Sequence, residues 1–153
     1  SLIPIEVLDT SELPELPEEA RKDLVKASIR FRDGDLSGVI TSSCGAVDSV
    51  TAKVYKEEGL GDPSKASFQG KVNNVIKAKQ ILDEIESDLV SLGWEAQETK
   101  RLVHNLKGAI NQAAYVMQSL RSEMGDTHGT KPTLKPLAFD TMKWAALIVR
   151  LLK

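Results

Sequence analysis

Apolar residues recur at intervals of three and four along most of this 153-residue chain, the spacing that places side chains on one face of an α-helix. The clearest case follows the turn at Asp33-Gly34-Asp35, where Asp35 offers a capping carboxylate and Gly59 closes the helix. Its apolar face consists of Leu36, Ile40, Cys44, Val47, Val50 or Thr51, and Val54. No strand pattern competes with the helical one, and the chain therefore predicts an all-α fold.

Residues 17–153 are predicted to form one helical domain, a bundle of about five helices, and residues 1–16 an N-terminal arm or the remnant of a linker. Pro17, followed by two acidic residues, starts the first helix as its first helical position. Between the cap at Ser67 and Leu89 the apolar positions keep the helical period, with one weak spot near Lys79. This stretch is interpreted as one helix.

The longest predicted helix begins at Glu95 and ends at Gly125, because glycine most readily takes the left-handed conformation that stops a helix. Arg121 lies on the flank of its apolar stripe, which places the guanidinium at the margin between core and solvent. Pro136 is expected to keep the next loop extended before a final helix over residues 137–152.

Charge is divided unevenly along the chain, although the net charge is only −2. Residues 1–100 carry 12 basic and 19 acidic side chains, and residues 101–153 carry 8 basic and 3 acidic side chains. The basic excess surrounds Arg121, which fits a local phosphate-binding face on an acidic body. The alternative is that the ends of C-terminal helices simply favour Lys and Arg.

Cysteine content and hydropathy exclude several classes of protein. A single cysteine, Cys44, excludes an internal disulfide framework and a multi-cysteine metal site, and its helical setting predicts a small buried hydrophobe. No basic and apolar leader opens the chain, and the apolar stretch 137–152 is interrupted by three charges. We therefore expect a soluble, cytoplasmic protein without a membrane span.

Candidate chemistry is concentrated in the segment Arg121-Ser-Glu-Met-Gly-Asp-Thr-His128-Gly129. A guanidinium can hold a phosphate and neutralise charge that grows in the transition state, and an imidazole can move a proton near neutral pH. Metal-free cleavage of a phosphodiester needs these two groups. An alternative is that Arg121 and His128 form a hydrogen-bonded tie that pins the loop to the long helix.

The same segment supports a resemblance to a known family. From about Ile29 to Leu152 the chain resembles the C-terminal domain of bacterial abortive-infection proteins, a branch of the HEPN superfamily of helical domains. The superfamily signature is Arg, four to six residues, then His, and this branch typically places Gly after the His. Here the gap is six residues. The residue after the Arg is usually Asn or another strong polar group, whereas this chain has Ser122, which offers fewer hydrogen bonds than an amide. Three other stretches carry the match: RFRDGDLSGVITSSCGAVDSVTAKVY, GLGDPSKASFQGKV and LKPLAFDTMKWAALIVRLL.

The resemblance implies an HEPN-like bundle with metal-independent endoribonuclease activity, acting in abortive infection, phage defence or as a toxin. Arg121 and His128 would be catalytic, with no metal or cofactor. A homodimer with a composite active site is implied, because relatives often form the site where two protomers meet. The alternative is a catalytically inactive module for dimerisation, ligand sensing or interaction within a larger defence protein. Under either interpretation, an antitoxin or an additional N-terminal domain is a possible partner.

Other residues near the signature are candidates for supporting roles. Ser122 could position a phosphate oxygen and Asp126 could orient the imidazole, although both residue types commonly cap helix ends. Lys131 and Lys135 are candidate contacts for RNA phosphates, and otherwise ordinary surface lysines.

Three further side chains have the chemistry for proton transfer or base stacking. Tyr115 and Trp144 could stack on bases, but their helical spacing favours core positions. His104 lies away from the Arg121 stripe and is not expected to carry chemistry.

Overall fold

The computed structural model describes residue 11, residues 13–126 and residues 129–153 of the chain. All regular secondary structure in these ranges is helical, which confirms the predicted all-α class. The α-helices are α1 (Glu18–Arg32), α2 (Leu36–Glu58), α3 (Phe68–Ala78), α4 (Ile81–Ser91), α5 (Ala96–Met124) and α6 (Lys135–Leu152). Short 3-10 helices lie at Leu13–Glu15 and Pro63–Lys65.

Helix α2 is the centre of the bundle, and α1, α3, α5 and α6 pack around it. Its sequence explains this position, because 12 of its 23 residues are buried and none of these buried residues is charged. As predicted, the Asp35 side chain accepts a hydrogen bond from the Gly38 amide at 3.1 Å, and Gly59 ends the helix with a φ of 65°. Gly38 and Gly45 both face α1, where an added Cβ at Gly38 would collide with the Arg30 side chain.

The predicted single helix over residues 67–89 is two helices, and the prediction of about five helices is corrected to six in the described ranges. Gln80 adopts a left-handed conformation, with a φ of 54°, between α3 and α4. The turn redirects the chain so that α4 packs along the first half of α5. The weak spot in the apolar spacing near Lys79 was the only sign of this break in the sequence, because no glycine or proline marks it.

Helix α4 and residues 96–107 of α5 form a two-helix projection, here named the arm. Ile81, Thr99 and Val103 are buried within the arm, and Ile81 is part of the core of the bundle. Its tip exposes apolar side chains: Leu92 retains 79% of its accessible surface, and Val90 and Trp94 retain 45% each. The core of the bundle lies at the other end of α5, around the fully buried Met117.

Two predicted helix starts are shifted in the structure. Pro17 is the N-cap of α1, so the first helical residue is Glu18, one position later than predicted. Pro136 lies inside the first turn of α6, which begins at Lys135, instead of extending the loop before it. A proline is tolerated there because the amides of the first turn have no partner within the helix.

The predicted N-terminal arm or linker at residues 1–16 is a different segment from the arm defined above, and its last described residues pack against the bundle. Leu16 is part of the core, with 8% of its surface exposed, and Leu13 packs against the core. Residues 1–10 and 12 lie outside the described residues.

Helix α6 is amphipathic, and its mostly apolar face packs against α2 and α1. Among its buried side chains, Met142, Ile148 and Leu152 have no exposed surface. None of the helices within the described ranges combines the length and apolar character that crossing a bilayer requires.

Candidate functional site

The last turn of α5 runs antiparallel to α2 and is attached to it at two points. Arg121 contacts Asp48, and Asp126, just beyond the helix, contacts Thr41. Asp48 and Thr41 are seven residues apart on one face of α2, about 10 Å along its axis. The spacing fixes both the height and the rotation of the Arg121 turn relative to α2.

Arg121 belongs to a cluster of three charged side chains, here named the Arg121–Asp48–Lys71 cluster. An Nη of Arg121 donates to one carboxylate oxygen of Asp48 at 2.5 Å, and Lys71 Nζ donates to the other at 2.5 Å. The Arg121 side chain is 33% exposed, and its guanidinium carbon lies 5.0 Å from the centre of the Phe68 ring. One carboxylate between two cations leaves a local charge of +1.

The guanidinium of Arg121 has donors to spare. It carries five N–H groups in a planar fork, and within the described residues only the bond to Asp48 engages them. The ring of Phe68 supports one face of this plane, an arrangement favourable to a cation. Arg121 is therefore held in a fixed orientation while keeping donors for a further anion.

Gly125 ends α5 as predicted, but for a different reason. Its φ is −67°, so the left-handed conformation that was expected is absent. An added Cβ would lie 2.5 Å from the carbonyl oxygen of Arg121 and 3.3 Å from Thr41 Oγ1. Glycine is required because α2 and the last turn of α5 leave no room for a side chain.

Gly129 has a similar steric role on the other side of the loop. Its amide donates to the Gly125 carbonyl at 2.9 Å, and an added Cβ would collide with the backbone of Met124 and Gly125. The two glycines of the signature segment thus permit close contact between two stretches of backbone.

Asp126, predicted as a supporting residue, connects the end of α5 to α1 and α2. Thr41 Oγ1 lies 2.7 Å from Asp126 Oδ1 and also accepts a hydrogen bond from the Asp126 amide at 3.1 Å. Arg30 approaches the second carboxylate oxygen at 3.6 Å while donating to Ser42 Oγ at 2.9 Å. The carboxylate is therefore a long-range anchor and not a local cap of α5.

His128 and Thr127 lie outside the described residues. The structure thus places Arg121, the first member of the predicted catalytic pair, but gives no geometry for the second. The described residues on either side, Asp126 and Gly129, are both bonded to the bundle near the end of α5. The pairing of Arg121 with His128 stays a prediction.

The remaining predicted site residues are not gathered around Arg121. Lys131 Nζ pairs with Glu123 at 2.8 Å, and Ser122 is exposed on the last turn of α5. Lys135 is the first residue of α6, and its Nζ lies 5.7 Å from the centre of the Phe31 ring. Contacts of the two lysines with RNA phosphate stay predictions.

Cys44 lies behind the charged cluster and is fully buried, which confirms the prediction for this residue. Burial raises the pKa of its thiol to about 12, and the nearby Arg121 lowers it by a smaller amount. The Sγ atom lies 3.7 Å from the Met117 carbonyl oxygen. The thiol is neutral near pH 7 and takes no part as a nucleophile.

Tyr115 is not a core residue, contrary to the prediction. It lies on α5 with 51% of its surface exposed, because its position on the helix is turned away from the buried Ala114 and Met117. Trp144 is partly buried and packs against the core. His104 is exposed on the arm, roughly 25 Å from Arg121 along the helix axis.

Three residues of the site were not found from the sequence: Asp48, Lys71 and Phe68. Each belongs to a helix other than α5, and the contact between Asp48 and Arg121 spans 73 positions. A local signal exists only for Asp48, which is the one acidic residue of α2 before its last two positions.

The described part of the chain contains no group of three or more His, Cys, Asp or Glu side chains that could hold a metal ion. Comparisons with protein-family models, curated proteins and solved structures found no significant match to this chain. The resemblance to HEPN domains therefore depends on the residues of the chain alone.

Proposed function

We propose that this chain is a metal-independent endoribonuclease of the HEPN type, with Arg121 and His128 as its catalytic residues. The observation that carries the proposal is the presentation of Arg121. Its guanidinium is oriented by Asp48 and Phe68, is one third exposed, and keeps donors that no described residue uses. Together with Lys71 it provides a local positive charge on a chain that is acidic overall.

The reaction is an attack of the RNA 2′-hydroxyl on the adjacent phosphate. The 2′-oxygen forms a bond to phosphorus while the bond from phosphorus to the 5′-oxygen breaks. One imidazole accepts the proton of the 2′-hydroxyl, and a second proton is delivered to the departing 5′-oxygen. Arg121 stabilises the additional negative charge on the phosphate oxygens. The products carry a 2′,3′-cyclic phosphate and a 5′-hydroxyl.

A homodimer would supply both proton-transfer groups, since each chain contributes one His128. The resemblance supports this assembly, and a two-fold axis near the end of α5 would form a composite site. The role in abortive infection, phage defence or toxicity likewise follows from the resemblance. This role is therefore proposed on the basis of the resemblance alone.

The test is cleavage of a mixed-sequence RNA by the purified chain in excess EDTA. Cleavage is expected for the wild type and should be lost in Arg121→Ala and His128→Ala. Arg101→Ala and His104→Ala are matched controls, because both residues are exposed on the arm of the same chain. Circular dichroism should show all four variants folded. Cleavage that survives in Arg121→Ala, or that requires a divalent metal, would refute the proposal.

A second candidate is a noncatalytic interaction module, and the apolar tip of the arm favours it. Leu92 and Trp94 are exposed beside Val90 at the turn between α4 and α5, and exposed apolar patches commonly mark protein contacts. An antitoxin or a further domain of a larger protein would be the partner. This candidate would be favoured by two results together. The folded wild type would cleave no RNA, and the Leu92→Asp variant would no longer bind a partner that the wild type binds.

A further inference from the structure

A network of side-chain amides joins α3 to α5 beside Arg121. The backbone N–H of Gln69 donates to Gln118 Oε1 at 3.0 Å, and the side-chain Nε2 of Gln69 donates to Asn111 Oδ1 at 2.9 Å. Asn73 Nδ2 donates to the same Asn111 oxygen at 2.5 Å. The side-chain oxygens of both α5 residues, Asn111 and Gln118, are therefore occupied by bonds from α3.

The bonds to α3 fix which atoms of Asn111 and Gln118 remain for a ligand. With the oxygens occupied, each side chain has its NH₂ group left over. In the part of the chain that the structure describes, neither nitrogen donates a hydrogen bond. Both residues are partly exposed, and their free groups are donors only.

These two amides belong to a longer row on the same face of α5, here named the donor row: Lys107, Asn111, Tyr115, Gln118 and Arg121. Consecutive members are three or four residues apart, so they lie one above another on the helix surface. The row is about 21 Å long. Each member presents an N–H or O–H donor, and the exposed ring of Tyr115 stands in the middle.

The far end of the donor row opens into a surface pocket of about 360 Å³ between α3, α4 and α5. Lys77 and Lys107 line it together with Asn73 and Asp83. Neither lysine forms an ion pair within the described ranges. The two lysines and Asp83 together give the pocket a local charge of +1. Both ends of the donor row are thus positively charged, with neutral donors and an aromatic ring between them.

We propose that the donor row binds single-stranded RNA, and that it holds the nucleotides flanking the bond cleaved at Arg121. This inference depends on the proposed function for the position of the cleaved bond at Arg121. Phosphate and base carbonyl oxygens are acceptors, which matches a surface of donors. The Tyr115 ring offers a stacking platform, and stacking is available to unpaired bases of any sequence. A duplex keeps its bases stacked on each other and could not use Tyr115.

Binding is measured by fluorescence anisotropy of a labelled single-stranded RNA, with His128→Ala as the parent so that the RNA stays intact. Tyr115→Ala is expected to weaken binding at least fivefold. Lys107→Glu is expected to weaken binding and to reduce the slope of log Kd against log salt by about 0.7. Trp94→Ala and Lys26→Glu are matched controls, since both residues are exposed on other surfaces, and they should leave binding unchanged.

Two results would overturn the inference: unchanged affinity in both Tyr115→Ala and Lys107→Glu, or equal affinity for single-stranded and double-stranded RNA. Cleavage of a dinucleotide separates this inference from the proposed function, because a dinucleotide reaches Arg121 without covering the row. If the wild type cleaves a dinucleotide and a long RNA equally well, and Tyr115→Ala changes neither, the nuclease stands and the donor row fails. If nothing is cleaved but binding depends on Tyr115 and Lys107, the donor row stands and the nuclease fails.

Discussion

Asp48→Asn is the most informative single substitution in this molecule, because it removes the charge that lies between Arg121 and Lys71 while preserving the shape of the side chain. A charge-assisted hydrogen bond contributes about 1.5–3 kcal/mol when its partners are buried, and an exposed ion pair about 0–1 kcal/mol. Asp48 and Arg121 are about one third exposed and Lys71 less so, so each bond is discounted to about 1 kcal/mol. The two bonds give an expected loss of about 2 kcal/mol.

The loss should appear in urea unfolding followed by circular dichroism, and as a fall in Tm of about 4–8 °C for a chain of this length. Asp83→Asn is the control, since Asp83 is exposed on α4 and forms no ion pair within the described ranges; it should change the free energy of unfolding by less than about 0.5 kcal/mol. A double-mutant cycle with Lys71→Met should give a coupling energy near 1 kcal/mol. A loss below 0.5 kcal/mol for Asp48→Asn, or a coupling energy near zero, would refute the reasoning.

Three further predictions concern the glycines, the thiol and the strained turn. Gly125→Ala should destabilise the fold by about 2 kcal/mol or more, because the new methyl group would meet the Arg121 carbonyl; Gly108→Ala, at an open position of α5, should instead stabilise it by up to about 1 kcal/mol in the same urea assay. The folded-state pKa of Cys44, near 12, exceeds its ordinary value of 9.0, so the stability contributed by the neutral thiol is complete below about pH 9 and is lost as pH rises towards 12. The difference in unfolding free energy between wild type and Cys44→Ala should therefore shrink between pH 7 and pH 10, and a constant difference would contradict the burial argument. Gln80→Gly should raise the free energy of unfolding by about 0.5–1 kcal/mol, because glycine adopts the left-handed conformation without strain; a decrease would show that the Gln80 side chain stabilises the turn.

The parts of the fold that depend on local sequence could be predicted, and those that depend on distant contacts could not. The cap at Asp35, the left-handed Gly59 and the burial of Cys44 follow from neighbours within a turn or two of helix. The break at Gln80 was missed because its only sign is the weak spot in the apolar spacing near Lys79, without a glycine or proline. What decides the break is the packing of α4 against α5, which the spacing within α4 does not specify.

The candidate site shows the same division between local and distant information. Arg121 was correctly placed at the margin of the core, since helical geometry alone determines that position. Its contacts with Asp48 and Phe68 join residues 73 and 53 positions apart in the chain, and no periodic pattern records such distances. Tyr115 was wrongly assigned to the core because aromatic residues at helical spacing usually are buried, whereas here the neighbouring Ala114 and Met117 face the core and Tyr115 is turned away from it.

Helix α5 passes through two environments, and this has a consequence for how the chain opens. Its C-terminal half is fixed in the main core by side chains such as Met117, whereas Thr99 and Val103 are the buried residues of its first fourteen positions. Backbone amides along this one continuous helix should therefore exchange with solvent at very different rates, fast near Thr99 and slow near Met117. We expect the first turns of α5 to open while the bonds of Arg121 and Asp126 to α2 stay formed, so a partner that binds these opened turns would leave the end of α5 in place.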